Sequence, residues 1–125
     1  MAHAFPGLGK TYYIDFKSLH GTEEFKVIIQ FDSATSLRYW QAVNEKPHGA
    51  ASTVAITITP VRDQIYLVSW LEPDVATAQN VIVHLEDYET HRVITNYTSA
   101  TGSTSPPLVG FDQYAGTLVP KPHVP

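Results

Sequence analysis

Apolar and aromatic residues gather in short runs along the chain, alternating with polar ones in some and continuous in others, and clusters of Gly, Ser, Thr, Asp and Asn separate those runs. The runs are KTYYIDF (10–16), EEFKVIIQF (23–31), SLRYWQAV (36–43), TVAITIT (53–59), IYLVSWLE (65–72), NVIVHLE (80–86), RVITNYT (92–98) and GTLV (116–119). β-branched and aromatic residues dominate them, and in TVAITIT the residues Val54, Ile56 and Ile58 share one face. No stretch repeats at the helical period, and EPDVATAQN (72–80) has room for one turn at most. About eight strands joined by tight turns, with no helices between them, predict an all-β, largely antiparallel up-and-down meander. A sandwich and a barrel both fit. The barrel is favoured because about eight strands close around an interior able to hold one small ligand and leave no free edge. SATGSTSPPLVG (99–110) reads as a loop and the Pro-rich residues 120–125 as a frayed tail on a single domain spanning 1–125.

Strand parity then sorts the side chains. Tyr66, Val68, Trp70 and Glu72 fall on one face, and Ile65, Leu67, Ser69 and Leu71 on the other, so both faces of this strand are apolar and it is expected to be covered on both sides. Tyr12, Ile14 and Phe16 share a face, as do Leu37 and Tyr39, with Arg38 and Trp40 opposite. A register slip of one residue would exchange Tyr39 for Arg38. Tyr12, Ile14, Phe16, Tyr39 or Arg38, Tyr66 and Trp70 are thus the expected lining of the interior. They either fill it as a packed core or wall a cavity for a small, largely apolar or aromatic molecule.

Composition narrows the partners. The chain is 43% hydrophobic and 16% charged, which describes a folded domain, and a net charge of −4 with 8 Lys+Arg leaves no basic stripe for nucleic acid. No apolar run approaches the roughly 20 residues of a membrane helix, and the N-terminus MAHAFPGLGK lacks a basic start and apolar centre. With no cysteine there is no disulfide, thiolate or Cys-based zinc site, and a cytoplasmic location is expected. GLGKT (7–11) imitates the end of a phosphate-binding loop, but Ala4 stands where that motif needs glycine, so Gly7 and Gly9 read as turn residues.

Two candidates carry chemistry. Glu72 ends an aromatic strand just before Pro73: it is either a strand-end acid facing water or a pocket acid. His84 interrupts the apolar run VIVHL, and if it faces the cavity with Glu72 the two form an acid/base pair able to enolise or dehydrate a small carbonyl compound. Tyr12 is a third possible proton carrier. In HLEDYETH, His84 and His91 flank an acidic stretch with Glu86, Asp87 and Glu89, which reads as a solvated turn rather than a metal site, so no metal and no cofactor is expected. The apolar outer positions of residues 65–72 and 81–83 suggest a homodimer.

IYLVSWLEP resembles the S-W-x-E-P strand of the cofactor-free phenolic acid decarboxylases, and the longer pattern from GKTYYIDF through TVAITITPVRDQIYLVSWLEP to RVITNYT is more similar to the MoaF-like proteins, small barrels of calycin, lipocalin-like shape. The resemblance implies that barrel, and it implies that Glu72 faces the cavity, where the acid of the decarboxylase motif helps move a proton. The decarboxylases' tyrosine pair falls on Ile14 and Phe16, and their arginine falls near His48 and Gly49. The anion clamp is therefore absent and decarboxylation of hydroxycinnamic acids is not implied. What remains is either a cofactor-independent lyase or isomerase using Glu72 with His84 or Tyr12, or a binding protein for an apolar metabolite.

Overall fold

A computed structural model describes residues 4–75, 78–101 and 108–125, with side chains described outside 73–79 and 99–111. Ten strands follow one another: β1 (Thr11–Ser18), β2 (Glu24–Ser33), β3 (Ser36–Val43), β4 (Lys46–Ala55), β5 (Thr57–Arg62), β6 (Ile65–Val75), β7 (Ala78–Asp87), β8 (Arg92–Thr101), β9 (Leu108–Thr117) and β10 (Val119–Lys121). They make one sheet, ordered β4-β3-β2-β1-β9-β8-β7-β6-β5, with β10 also on β1. Every pairing is antiparallel. The two ends of this order, β4 and β5, are neighbours in the chain. They are parted only at Ile56, whose amide donates to the Thr35 carbonyl at 3.0 Å. The sheet is up-and-down and curls into a half-barrel, with β4 and β5 at its two ends, rather than splitting into a sandwich.

Local chemistry explains the strands that the hydrophobic pattern does not announce. KPHGAAST is polar and carries Pro47 and Gly49, yet it forms most of β4, because Asn44 and Glu45 both adopt positive φ (52° and 60°) and turn the chain in a two-residue hairpin loop. Asn tolerates that left-handed conformation better than most residues. The loop expected over 99–110 is shorter at both ends, with β8 reaching Thr101 and β9 resuming at Leu108. Its centre, 102–107, and residues 76–77 of the expected turn lie outside the described residues.

Residues 120–125 are not frayed. Val119–Lys121 pair with β1, and the buried Gln30 grips the next segment: its Oε1 accepts from Val124 N (2.7 Å) and Thr11 Oγ1 (2.6 Å), while its Nε2 donates to Val124 O (3.0 Å) and Asp32 Oδ1 (2.9 Å). Val119 and Val124 thereby cover a second small core of Tyr13, Ile28, Trp40 and Ala42 outside the barrel. So the doubly covered strands are β1 to β3, not the strand of residues 65–72, whose outer Leu71 is 53% exposed. We expect Gln30→Ala, which orphans buried groups, to cost about 1–3 kcal/mol and lower the urea midpoint. An unchanged midpoint would show that this strap contributes nothing.

One end of the barrel is plugged. Phe5 meets Phe31, Tyr66 and Tyr88 edge-on at 4.9, 5.1 and 5.3 Å between ring centroids. Gly7 permits the approach, since a Cβ there would stand 2.6 Å from the Tyr88 hydroxyl. Gly7 of the phosphate-loop lookalike thus makes room for an aromatic plug.

Candidate functional site

Period two carries the inward face of β7 through Asn80, Ile82, His84 and Glu86, and the same parity continues past the strand to Tyr88, whose amide donates to the Gln64 carbonyl. His84, Glu86 and Tyr88 are all buried and form a hydrogen-bonded column. His84 Nδ1 lies 3.1 Å from Glu86 Oε2, and the Tyr88 hydroxyl donates to Glu86 Oε1 at 2.5 Å. Burial, and then the Glu86 charge, push the Tyr88 hydroxyl far above its ordinary range, so it stays a donor to Glu86 across ordinary pH. An ionised carboxylate offers only acceptors. Such a Glu86 holds the His84 proton on Nδ1 and leaves Nε2 with its lone pair.

The column runs from the plug to a pocket of about 380 Å³ in the other half of the barrel. Its wall is mostly apolar: Phe16, Ile29, Ile82, Trp70 and Tyr97, with Tyr39 and Phe25 from the opposite strands and His84, Thr95, Gln41, Glu72 and Lys26 as polar members. The Trp70 and Phe16 rings stand 4.8 and 5.5 Å from the His84 ring. Thr95 is the cross-strand partner of His84 on β8. Phe25 stacks between Phe16 and Tyr114 at 4.9 and 4.8 Å. The Tyr114 hydroxyl, pushed up to about 12 by burial and by its bond to Glu23, is neutral beside it.

Phe16, Tyr39, Trp70, Glu72 and His84 all line this pocket. Ile14 is wholly buried, and Tyr12 and Tyr66 pack with Tyr88 at 6.0 and 6.2 Å in the plugged half. Tyr12 therefore neighbours Glu86, whose charge, after burial, raises its hydroxyl pKa, and it is not a partner of Glu72. Arg38 faces outward. Its guanidinium bonds Asp32 at 2.6 Å, reaches the Val124 carbonyl and lies over Trp40, and this bond from Arg38 holds the Asp32 carboxyl below its usual range. The register is thus the one that puts Tyr39, and not Arg38, inside.

The expected Glu72–His84 pair is also revised. Glu72 sits opposite Asn80, four residues along β7 from His84, or about 13 Å of strand. Both line one pocket at different depths, and the carboxylate on His84 is Glu86. The acidic stretch read as a solvated turn therefore contains one buried member: Asp87 caps the turn through Glu89 N and Thr90 N, while Glu86 points inward. Among the described residues no group of three or more His, Asp or Glu side chains is placed to hold a metal ion.

The MoaF-like family model matches residues 8–109. The chain belongs to that family. Among solved structures, this MoaF-like protein is similar to one from Burkholderia vietnamiensis described as a "putative beta-lactamase", with a TM-score of 0.67 and 23% identity, covering 96% of this chain and 100% of the other. That likeness shows the shared fold alone. No curated protein matches the chain. Among the described residues no helix is long and apolar enough to cross a membrane.

Proposed function

We propose that the pocket takes a small, largely apolar molecule of aromatic size and that His84, oriented by Glu86, moves a proton on it without a cofactor, as a lyase or isomerase does. The observation that carries this reading is a fully buried carboxylate bonded to a buried histidine that lines a mostly apolar pocket. A buried carboxylate held by polar partners is weak evidence for stability, since apolar replacements often serve the core as well. A histidine with one nitrogen fixed by a carboxylate and the other left toward a ligand is, however, the arrangement of a general base. Glu72, only half-buried on the wall nearer the strand end, is a further titratable group of the pocket, as is Lys26.

The test is a thermal-shift screen of small aromatic ketones, aldehydes and acids, followed by turnover assays. We expect His84→Gln to bind the hits and lose roughly 10² or more in rate, the usual share of a general base. Glu72→Gln is expected to change affinity in a pH-dependent way, because an amide does not titrate, with a smaller loss of rate. Hits that bind wild type and are never turned over would leave a binding protein for an apolar metabolite.

We also propose a homodimer. On the outer face of β6 to β8, Leu71, Val81, Leu85 and Ile94 are each more than 40% exposed, and the pairing sets Leu71 beside Val81 and Leu85 between Leu67 and Ile94. The outward positions 65, 67, 69, 71, 81, 83, 85, 94, 96 and 98 carry no charge, so the face can meet its own copy without like-charge repulsion. Light scattering should give a dimer that Leu85→Glu dissociates. A wild-type monomer at tens of micromolar would remove the proposal.

A further inference from the structure

We propose that the molecule bound beside His84 carries a carbonyl oxygen, taken by the indole N–H of Trp70 and the hydroxyl of Thr95, with its α carbon presented to His84 Nε2. This rests on the pocket reading above and adds the substrate class. Trp70 Nε1 and Thr95 Oγ1 are buried and have no hydrogen-bond partner among the described residues, although their side chains are only 8% and 2% exposed. Buried polar atoms are nearly always paired, so two orphans at one place call for a physical cause. Their place is specific. Trp70 stands 4.8 Å from the His84 ring on one neighbouring strand, and Thr95 is its cross-strand partner on the other.

The chemistry of the two groups selects the ligand atom. An indole nitrogen can only donate and a hydroxyl can donate, so together they fit an acceptor oxygen and offer a hydrocarbon nothing. A neutral carbonyl suits the place better than a carboxylate. The residues packed on His84 here, Trp70, Thr95 and Phe16, bring no cation, Glu86 is the charge bonded to His84, and Lys26, the cation of the pocket wall, is already paired with Glu24 and Asp15. Both donors are closed to water in the free chain, so the oxygen must part these side chains to reach them, and it meets groups that are already dehydrated.

The same contacts define a step. His84 Nε2 takes the proton from the carbon next to the carbonyl, and the C–H electron pair becomes the C–C double bond of an enolate. The carbonyl π pair moves onto oxygen, where the Trp70 and Thr95 donors stabilise the developing charge as an oxyanion site does. Return of the proton to the same carbon exchanges it, and return to a conjugated carbon isomerises the ketone. Nothing is oxidised or reduced.

The experiment uses 1-phenyl-2-propanone and its hydrocarbon counterpart propylbenzene, titrated calorimetrically into wild type, Thr95→Val and Trp70→Phe. Thr95→Val keeps shape and removes an unpaired buried hydroxyl, so it folds at least as well as wild type. We expect wild type to prefer the ketone by about tenfold or more, and each variant to lose most of that preference, read as the ratio of ketone to propylbenzene affinity within the variant. In D2O, wild type should exchange the benzylic protons of the ketone roughly 10² faster than His84→Gln. Equal affinity for ketone and hydrocarbon, or a preference that survives both substitutions, would overturn the carbonyl assignment and leave the pocket standing. Exchange no faster than in buffer would overturn the step. Failure of both compounds to bind would sink the pocket reading and this inference with it.

Discussion

Glu86→Ala is expected to cost about 3–5 kcal/mol of folding stability and to lower the melting midpoint by roughly 10 °C or more. Glu86 is wholly buried and accepts from two groups that are themselves buried, the His84 ring and the Tyr88 hydroxyl. Truncation leaves both without a partner and opens a cavity between the plug and the pocket, and each of these defects is destabilising on its own. The measurement is a thermal or urea melt of the variant beside wild type. A midpoint within about 3 °C of wild type would mean that Glu86 is a surface-like acid and that the column is not a unit.

Glu86→Gln separates stability from chemistry. Glutamine keeps the shape and still accepts from Tyr88 with its carbonyl, but it turns an NH₂ toward His84 Nδ1. Nδ1 must then accept, and the ring proton moves to Nε2, the nitrogen left for the ligand. We expect a modest loss of stability together with a fall in proton-transfer rate of roughly 10²–10⁴, the upper figure being what the same carboxylate-to-amide change costs a catalytic triad. The rate is read as deuterium exchange into the benzylic carbon of 1-phenyl-2-propanone. A rate equal to wild type would show that the His84 tautomer does not matter. An unfolded variant would show that Glu86 is needed as a charge for folding itself.

What the sequence discloses and what it hides follow from one property of strands. Alternation tells which residues of a strand share a side, so Phe16, Trp70 and, in one of two registers, Tyr39 were expected inside while Glu72 and His84 were left open; all five line one pocket. It does not tell how deep along the barrel they lie, because that depends on the pairing of strands distant in the chain. Tyr12 and Glu72 share a facing direction but belong to opposite halves, and only the pairing of Glu72 with Asn80 places it four residues from His84. Glu86 was hidden for a different reason. An acid beside Asp87 and a turn ordinarily faces water, and that expectation overrides the parity that runs from His84 through Glu86 to Tyr88. That parity was the available signal. Strand β4 and the docked tail were masked by Pro and Gly, which an edge strand tolerates and which a hydrophobic count scores as loop.

In the proposed site Glu86 fixes His84 with a bare Nε2 directed to the ligand, and the histidine ring nitrogens report that arrangement. In long-range ¹⁵N–¹H spectra of protein labelled at histidine, His84 should show its proton on Nδ1 in the free chain. Addition of 1-phenyl-2-propanone should move the His84 Nε2 resonance and leave those of the exposed His20 and His91 in place. A proton on Nε2 in the free chain, or an Nε2 resonance unmoved while the ketone binds, would contradict the account.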